Sequence, residues 1–169
     1  MLMQRLRQLG ANPGEGDHGP LTERHIGELE TRTGGPLPGS YRQMLAELGG
    51  CTPSEAVYYN DPVAKIPVMF GWFYDYSELM DAIKSYEEVL PDGVIPIGDD
   101  GGGNLYCLGV KGDDSGKVFF HDHGAGWDEE ARSYLSRGDA LPVHLRYQTV
   151  YLLAETFDDF VNGMWSEEG

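Results

Sequence analysis

His121-Asp122-His123 sets two imidazoles two residues apart with a carboxylate between them. On a strand, side chains at i and i+2 share a face, so His121 and His123 would offer two ligands of a zinc site, with His144 or Asp128 as the third. The chemistry would be that of a small metal-dependent hydrolase. Histidines at strand ends more often bond a turn or meet water, and the sequence completes no ligand set. Asp99-Asp100-Gly101-Gly102-Gly103-Asn104 invites a calcium loop, but a loop begun at Asp99 needs oxygen ligands at 101 and 103 and a glutamate at 110, where the chain has Gly101, Gly103 and Val110. Begun at Asp100, it ends on Lys111. The same glycines miss the dinucleotide fingerprint, because Tyr106 stands where a glycine is required. Gly112-Asp113-Asp114-Ser115-Gly116-Lys117-Val118 is one residue short of a phosphate loop and sets two carboxylates against the phosphates. No Gly-x-Ser-x-Gly elbow supports serine hydrolysis. The expectation is a chain with no catalytic residues, no metal and no cofactor.

These segments are better explained as turns. Ile95 to Gly98 is an apolar stub running into the acidic triglycine turn. Leu105 and Cys107, then Val118 and Phe120, alternate with more polar neighbours on either side of the second turn. The pattern describes a sheet edge carrying acidic loops, a surface that meets something.

The rest of the chain supplies the elements that hold this edge. Leu2, Leu6 and Leu9 fit one helical face, and the Gly/Pro-rich stretch from Gly10 to Pro20 has the composition of a linker. Thr22 is placed to cap a helix through about Arg32, with Leu21 and Ile26 as a hydrophobic staple. Tyr41, Met44, Leu45 and Leu48 recur at helical spacing behind Pro38, and Gly49 ends the run. Strands are expected at 56–59 and 66–70. A helix is expected from Ser77, with Leu79, Ile83, Tyr86 and Leu90 on one face. Strands follow at 94–97, 104–110 and 117–122, then a short helix over 127–135 and a strand at 147–152. A closing helix is capped by Thr156 and buries Phe157, Phe160, Val161 and Met164. This order predicts an α+β fold, a mostly antiparallel twisted sheet with helices packed around it.

At 169 residues with 40% apolar composition, the chain can bury a self-sufficient core as one domain. No apolar run reaches the length of a membrane span, and the arginines at 5 and 7 interrupt any signal-like core. Cys51 and Cys107 lack metal or redox spacing and read as free thiols in a reducing compartment, so a cytoplasmic location is expected. The net charge of −16 is lopsided. Residues 1–74 hold 8 acids and 6 bases (−2), and residues 75–169 hold 20 acids and 6 bases (−14). Such a surface excludes nucleic acid as a partner and suits a basic protein. Among the aromatics Phe70, Trp72, Phe73, Tyr74 and Tyr76, Trp72 is a candidate anchor, and Trp127 beside Asp128, Glu129 and Glu130 is a second.

Three motifs in register carry a resemblance. Ile95-Pro96-Ile97-Gly98 leads to Asp100-Gly101-Gly102-Gly103-Asn104, a strand, a turn and Gly116-Lys117-Val118-Phe119-Phe120-His121-Asp122-His123. Leu37-Pro38-Gly39-Ser40-Tyr41-Arg42-Gln43-Met44-Leu45 runs to the Gly49-Gly50 pair, and Leu153 to Val161 forms the closing helix. Together they resemble the SUKH superfamily of Smi/Knr-type immunity domains over about residues 20–165. Residues 1–19 would then be an N-terminal helix and linker, and 20–166 the SUKH-like domain. His121 stands where the family often has Trp, and residues 124–146 run longer than the usual connection. The resemblance implies an immunity protein that binds and neutralises a cognate toxin of a bacterial polymorphic system, such as a basic nuclease. The alternative within the superfamily is a regulatory or scaffolding interaction module. Asp99, Asp100, Asp113, Asp114, Asp122, Asp128, Glu129 and Glu130, with Trp72 and Trp127, are the candidate partner-binding residues.

Overall fold

Apolar strands and turn glycines build two antiparallel sheets, with six α-helices packed around them among the described residues. The expected alternation at 105–107 and 118–120 gives way to strands buried on both faces, because they are central in their sheet. The computed structural model describes residues 1–61 and 65–167. Helices α1 (Leu2–Gln8), α2 (Glu23–Thr33) and α3 (Gly39–Glu47) come first, then strands β1 (Val57–Asn60), β2 (Pro67–Phe70) and β3 (Trp72–Phe73). Helix α4 (Tyr76–Tyr86) leads into the meander β4 (Val94–Asp99), β5 (Leu105–Gly109) and β6 (Val118–His121). Helix α5 (Glu129–Ser136), β7 (Val150–Ala154), α6 (Phe157–Gly163) and β8 (Trp165–Ser166) complete the chain. The larger sheet has the order β3-β4-β5-β6-β7 and the smaller β2-β1-β8. The expected α+β architecture is present, with its antiparallel strands divided between two sheets.

Local chemistry sets the element ends. Thr22 accepts from the His25 N–H and Thr156 from the Asp159 N–H, as N-caps do. Helix α4 starts one residue before the expected Ser77. Asp75 accepts from the Glu78 N–H at 2.8 Å and the Glu78 carboxylate returns to the Asp75 N–H at 2.9 Å, a complete capping box. The helix ends at Tyr86, so Leu90 is buried beyond it. Pro96 has no N–H to give the ladder, and the β4–β5 register shifts between Pro96 and Gly98.

The main core is one aromatic-rich cluster that joins the sheets to α1, α2, α3, α4 and α6. Phe160 is fully buried and its ring meets those of Tyr59, Phe70, Tyr106 and Phe157. Leu2, Met3, Leu6, Leu9 and Ala11 belong to this same cluster. The expected linker is therefore a packed segment. The Gly14 N–H donates to Leu48 O, and a short 3-10 turn at Gly16–His18 brings His18 Nδ1 onto the Asp75 carboxylate. Glycine composition signalled flexibility, but here it permits close approach. Gly49 sits at φ +70°, and a Cβ there would lie 1.9 Å from Gly19 O. A smaller cluster of Ala131, Leu141 and Leu145, with Trp127 and Val89 against it, lies under α5. Arg146 ties it to the end of α4, donating to Leu141 O at 2.7 Å and to Glu87 O at 3.2 Å.

Candidate functional site

The meander places most of the candidate residues at one end of the larger sheet. Antiparallel register sets Trp72 opposite Asp99, Asp99 opposite Leu105, and Leu105 opposite His121. The β4–β5 turn thus abuts the Asp122–Gly124 turn after β6, and the Asn104 Oδ1 joins them by accepting from the His123 N–H at 3.0 Å and Nδ1 at 2.7 Å. The start of α5 follows closely, since Asp122 N–H donates to Thr149 O and the Asp128 carboxylate accepts from Gln148 Nε2 at 2.7 Å. Trp72, Asp99, Asp100 and Asp122 therefore share this end, and Trp127 and Asp128 are joined to it through His121 and Gln148, while Glu129 and Glu130 lead on into α5, where Glu130 meets His144.

Asp113 and Asp114 do not. They sit in the β5–β6 turn, at the far end of β5 from Asp99 and Asp100. The two acid pairs therefore flank the two ends of β5 and do not form one patch, because successive turns of an antiparallel sheet fall at opposite ends of their shared strand.

The acids differ in what their oxygens already do. Asp99 accepts from the Tyr74 hydroxyl at 2.9 Å and the Gly101 N–H at 2.7 Å. Asp100 accepts from the Gly102 N–H, the Asn104 N–H and the Asn104 amide at 2.7–3.1 Å, which closes the triglycine turn. Asp122 takes the Gly124 N–H, and Asp128 caps α5 through the Ala131 N–H, a bond that lowers its pKa. Asp114 accepts from Tyr147 at 2.7 Å and pairs with Lys117 at 3.4 Å, and its bond pushes the Tyr147 hydroxyl up to about 12. Glu130 lies 3.6 Å from His144. Asp113 and Glu129 are exposed. Trp72 is half-buried, its Nε1 donating to Glu78, and Trp127 is half-buried against the ring of His121.

The proposed histidine pair is not a pair. Strand β6 stops at His121, and Asp122 opens a turn in which His123 points to Asn104. His121 is 4% exposed, its Nδ1 is 2.9 Å from Thr149 Oγ1, and burial lowers its pKa. The expectation that His121 and His123 share a face fails because the i, i+2 rule needs a strand through both. Among the described residues no three of His, Cys, Asp and Glu come together as metal ligands. Cys51 and Cys107 are buried and free, and burial pushes the Cys51 thiol up to about 12. An open groove of about 430 Å³ beside the end of α4 is lined by Arg32 and Lys111 as well as Glu87 and Asp92, with Ile83 and Tyr86 among its apolar walls. No described helix is long and apolar enough to cross a membrane.

The aromatic residues that sequence reasoning missed are Tyr58 and Trp165, whose rings stack 4.9 Å apart across β1 and β8. The third tryptophan lies just beyond the amphipathic closing helix, and its separation from that pattern was the one signal available.

Comparison with known proteins places this geometry. The family model described as the SMI1/KNR4 family (SUKH-1) matches residues 20–163. The chain is 28% identical over 166 residues to the "SPbeta prophage-derived uncharacterized protein YokK" of Bacillus subtilis (strain 168), covering 86% of this chain and 76% of that protein. With its core meander, glycine-closed helix and closing helix all inside the matched region, this chain belongs to the SMI1/KNR4 family (SUKH-1).

Proposed function

We propose that this chain is an immunity protein, which binds a cognate bacterial toxin in the cytoplasm and neutralises it without chemistry of its own. The observation that carries the reading is the acidic end of the larger sheet, in a family member whose net charge is −16. Asp99, Asp100, Asp122 and Asp128 to Glu130 hold carboxylates on turns and a helix start, where a basic nuclease would meet them in place of substrate phosphates. The internal hydrogen bonds favour this role, because they hold the anions in place before the partner arrives. A prophage-derived relative fits the reading, since a mobile element would carry a toxin and its neutralising protein together.

The test is protection. A protein encoded beside this chain's gene that arrests growth when expressed alone is expressed in a susceptible host with and without the chain. Growth restored by the chain supports the reading. Unchanged killing, with both proteins soluble, rejects it.

A further inference from the structure

The smaller sheet turns one face to the core and leaves the other open. Register pairs Val57 with Phe70 and Tyr59 with Val68 on the inner face, under Phe160. The alternate positions point outward, and there Tyr58 pairs with Met69 on one side and Trp165 on the other. The result is a continuous row, Met69–Tyr58–Trp165, crossing all three strands. Its two rings stack at 28° and 4.9 Å, and Trp165 Nε1 donates to Asn60 Oδ1 at 3.3 Å, which fixes the indole. Met69 is 49% exposed.

We propose that this row is the anchor for a basic protein partner, with an arginine- or lysine-bearing segment laid across the Tyr58–Trp165 pair. Three observations carry the choice of partner. Stacked, pre-ordered aromatic rings with a neighbouring methionine are the side chains that concentrate binding energy at protein interfaces, and they lose little entropy on binding. Their faces attract cations, and Glu167 directly after β8, with Glu55 two residues before Val57, sets exposed carboxylates along one flank of the row. A second copy of this chain is disfavoured as the occupant, because it would bring another net charge of −16 against the first. The acidic end of the larger sheet would steer the encounter, and the row would hold the complex.

This inference rests on the immunity reading, and one experiment separates the two. The probe is the growth-arresting protein of the protection assay, purified in catalytically silenced form and titrated against the chain. Trp165→Ala and Met69→Lys should each weaken binding at least tenfold, mainly through faster dissociation. Trp165→Phe should recover most of the loss, and melting temperatures should confirm that the variants fold. Binding by the parent chain with these variants within twofold of it overturns the anchor and leaves the immunity reading standing. A parent chain that neither binds nor protects overturns both. Sedimentation showing a dimer that Met69→Lys dissolves would assign the face to a second copy and also overturn the proposal.

Discussion

His121 and His18 are pulled in opposite directions by their surroundings, and the difference should be visible in stability against pH. Burial lowers the His121 pKa from its ordinary 6.5. Below that value the unfolded ring takes up a proton that the folded ring resists, so stability falls as pH drops through the window beneath 6.5. The bond to Asp75 raises the His18 pKa, so its contribution is complete below 6.5 and is lost as pH rises through the folded value. Urea midpoints of His121→Gln should lose part of the acid-side decline, and those of His18→Ala part of the decline on the alkaline side. The acids divide similarly. Asp100→Ala strands turn donors and should cost about 1–3 kcal/mol, whereas Asp113→Lys at an exposed turn should stay within about 0.5 kcal/mol of the parent. Equal effects in equilibrium unfolding would contradict the hydrogen-bond assignments.

Helices α1 and α6 decide stability at the scale of elements. The fully buried Phe160 ring is held by four aromatic neighbours, so Phe160→Ala should cost roughly 3–5 kcal/mol in denaturant unfolding, without a selective loss of binding. Leu6, 1% exposed and packed into the same core, should behave like an internal residue, with Leu6→Ala costing about 2–5 kcal/mol. A neutral Leu6→Ala would mean that α1 is a detachable extension. Much of this was legible beforehand. The i, i+3, i+4 spacing of Phe157, Phe160 and Val161 defines a helix with one apolar face, and their burial follows from it. Met164, expected on the same face, is buried just beyond the end of α6, where the backbone is extended. The docking of residues 10–20 was not legible, because glycine composition is the same in a flexible tether and in a backbone packed against backbone.

Charge acts at the scale of the whole molecule. A net −16 creates a field that extends beyond any one carboxylate, so association with a basic partner should slow as salt rises, over a Debye length of about 8 Å at physiological ionic strength. Reversing exposed Glu129 and Asp113 to lysine should lower the on-rate and leave the off-rate nearly unchanged. Stopped-flow association at low and high salt makes the check, and a salt-independent on-rate would assign the acidity to solubility alone.

Periodicity, capping residues and turn glycines are local in the chain, so they determined the order of the longer elements, the α+β class and the closing helix from sequence alone, but not the short strands β3 and β8. Charge composition likewise is read without coordinates, and it is the basis for expecting a basic partner over a polyanion. The alignment of neighbours across strands is not local. Only the tertiary structure parted Asp113 and Asp114 from Asp99 and Asp100, since the end of a strand at which a turn falls depends on the meander. Only it ended β6 at His121 and so separated the two histidines. Only it brought Tyr58 beside Trp165, residues more than a hundred positions apart, because a strand pairing is settled by the burial of the opposite face and leaves no trace in either segment by itself.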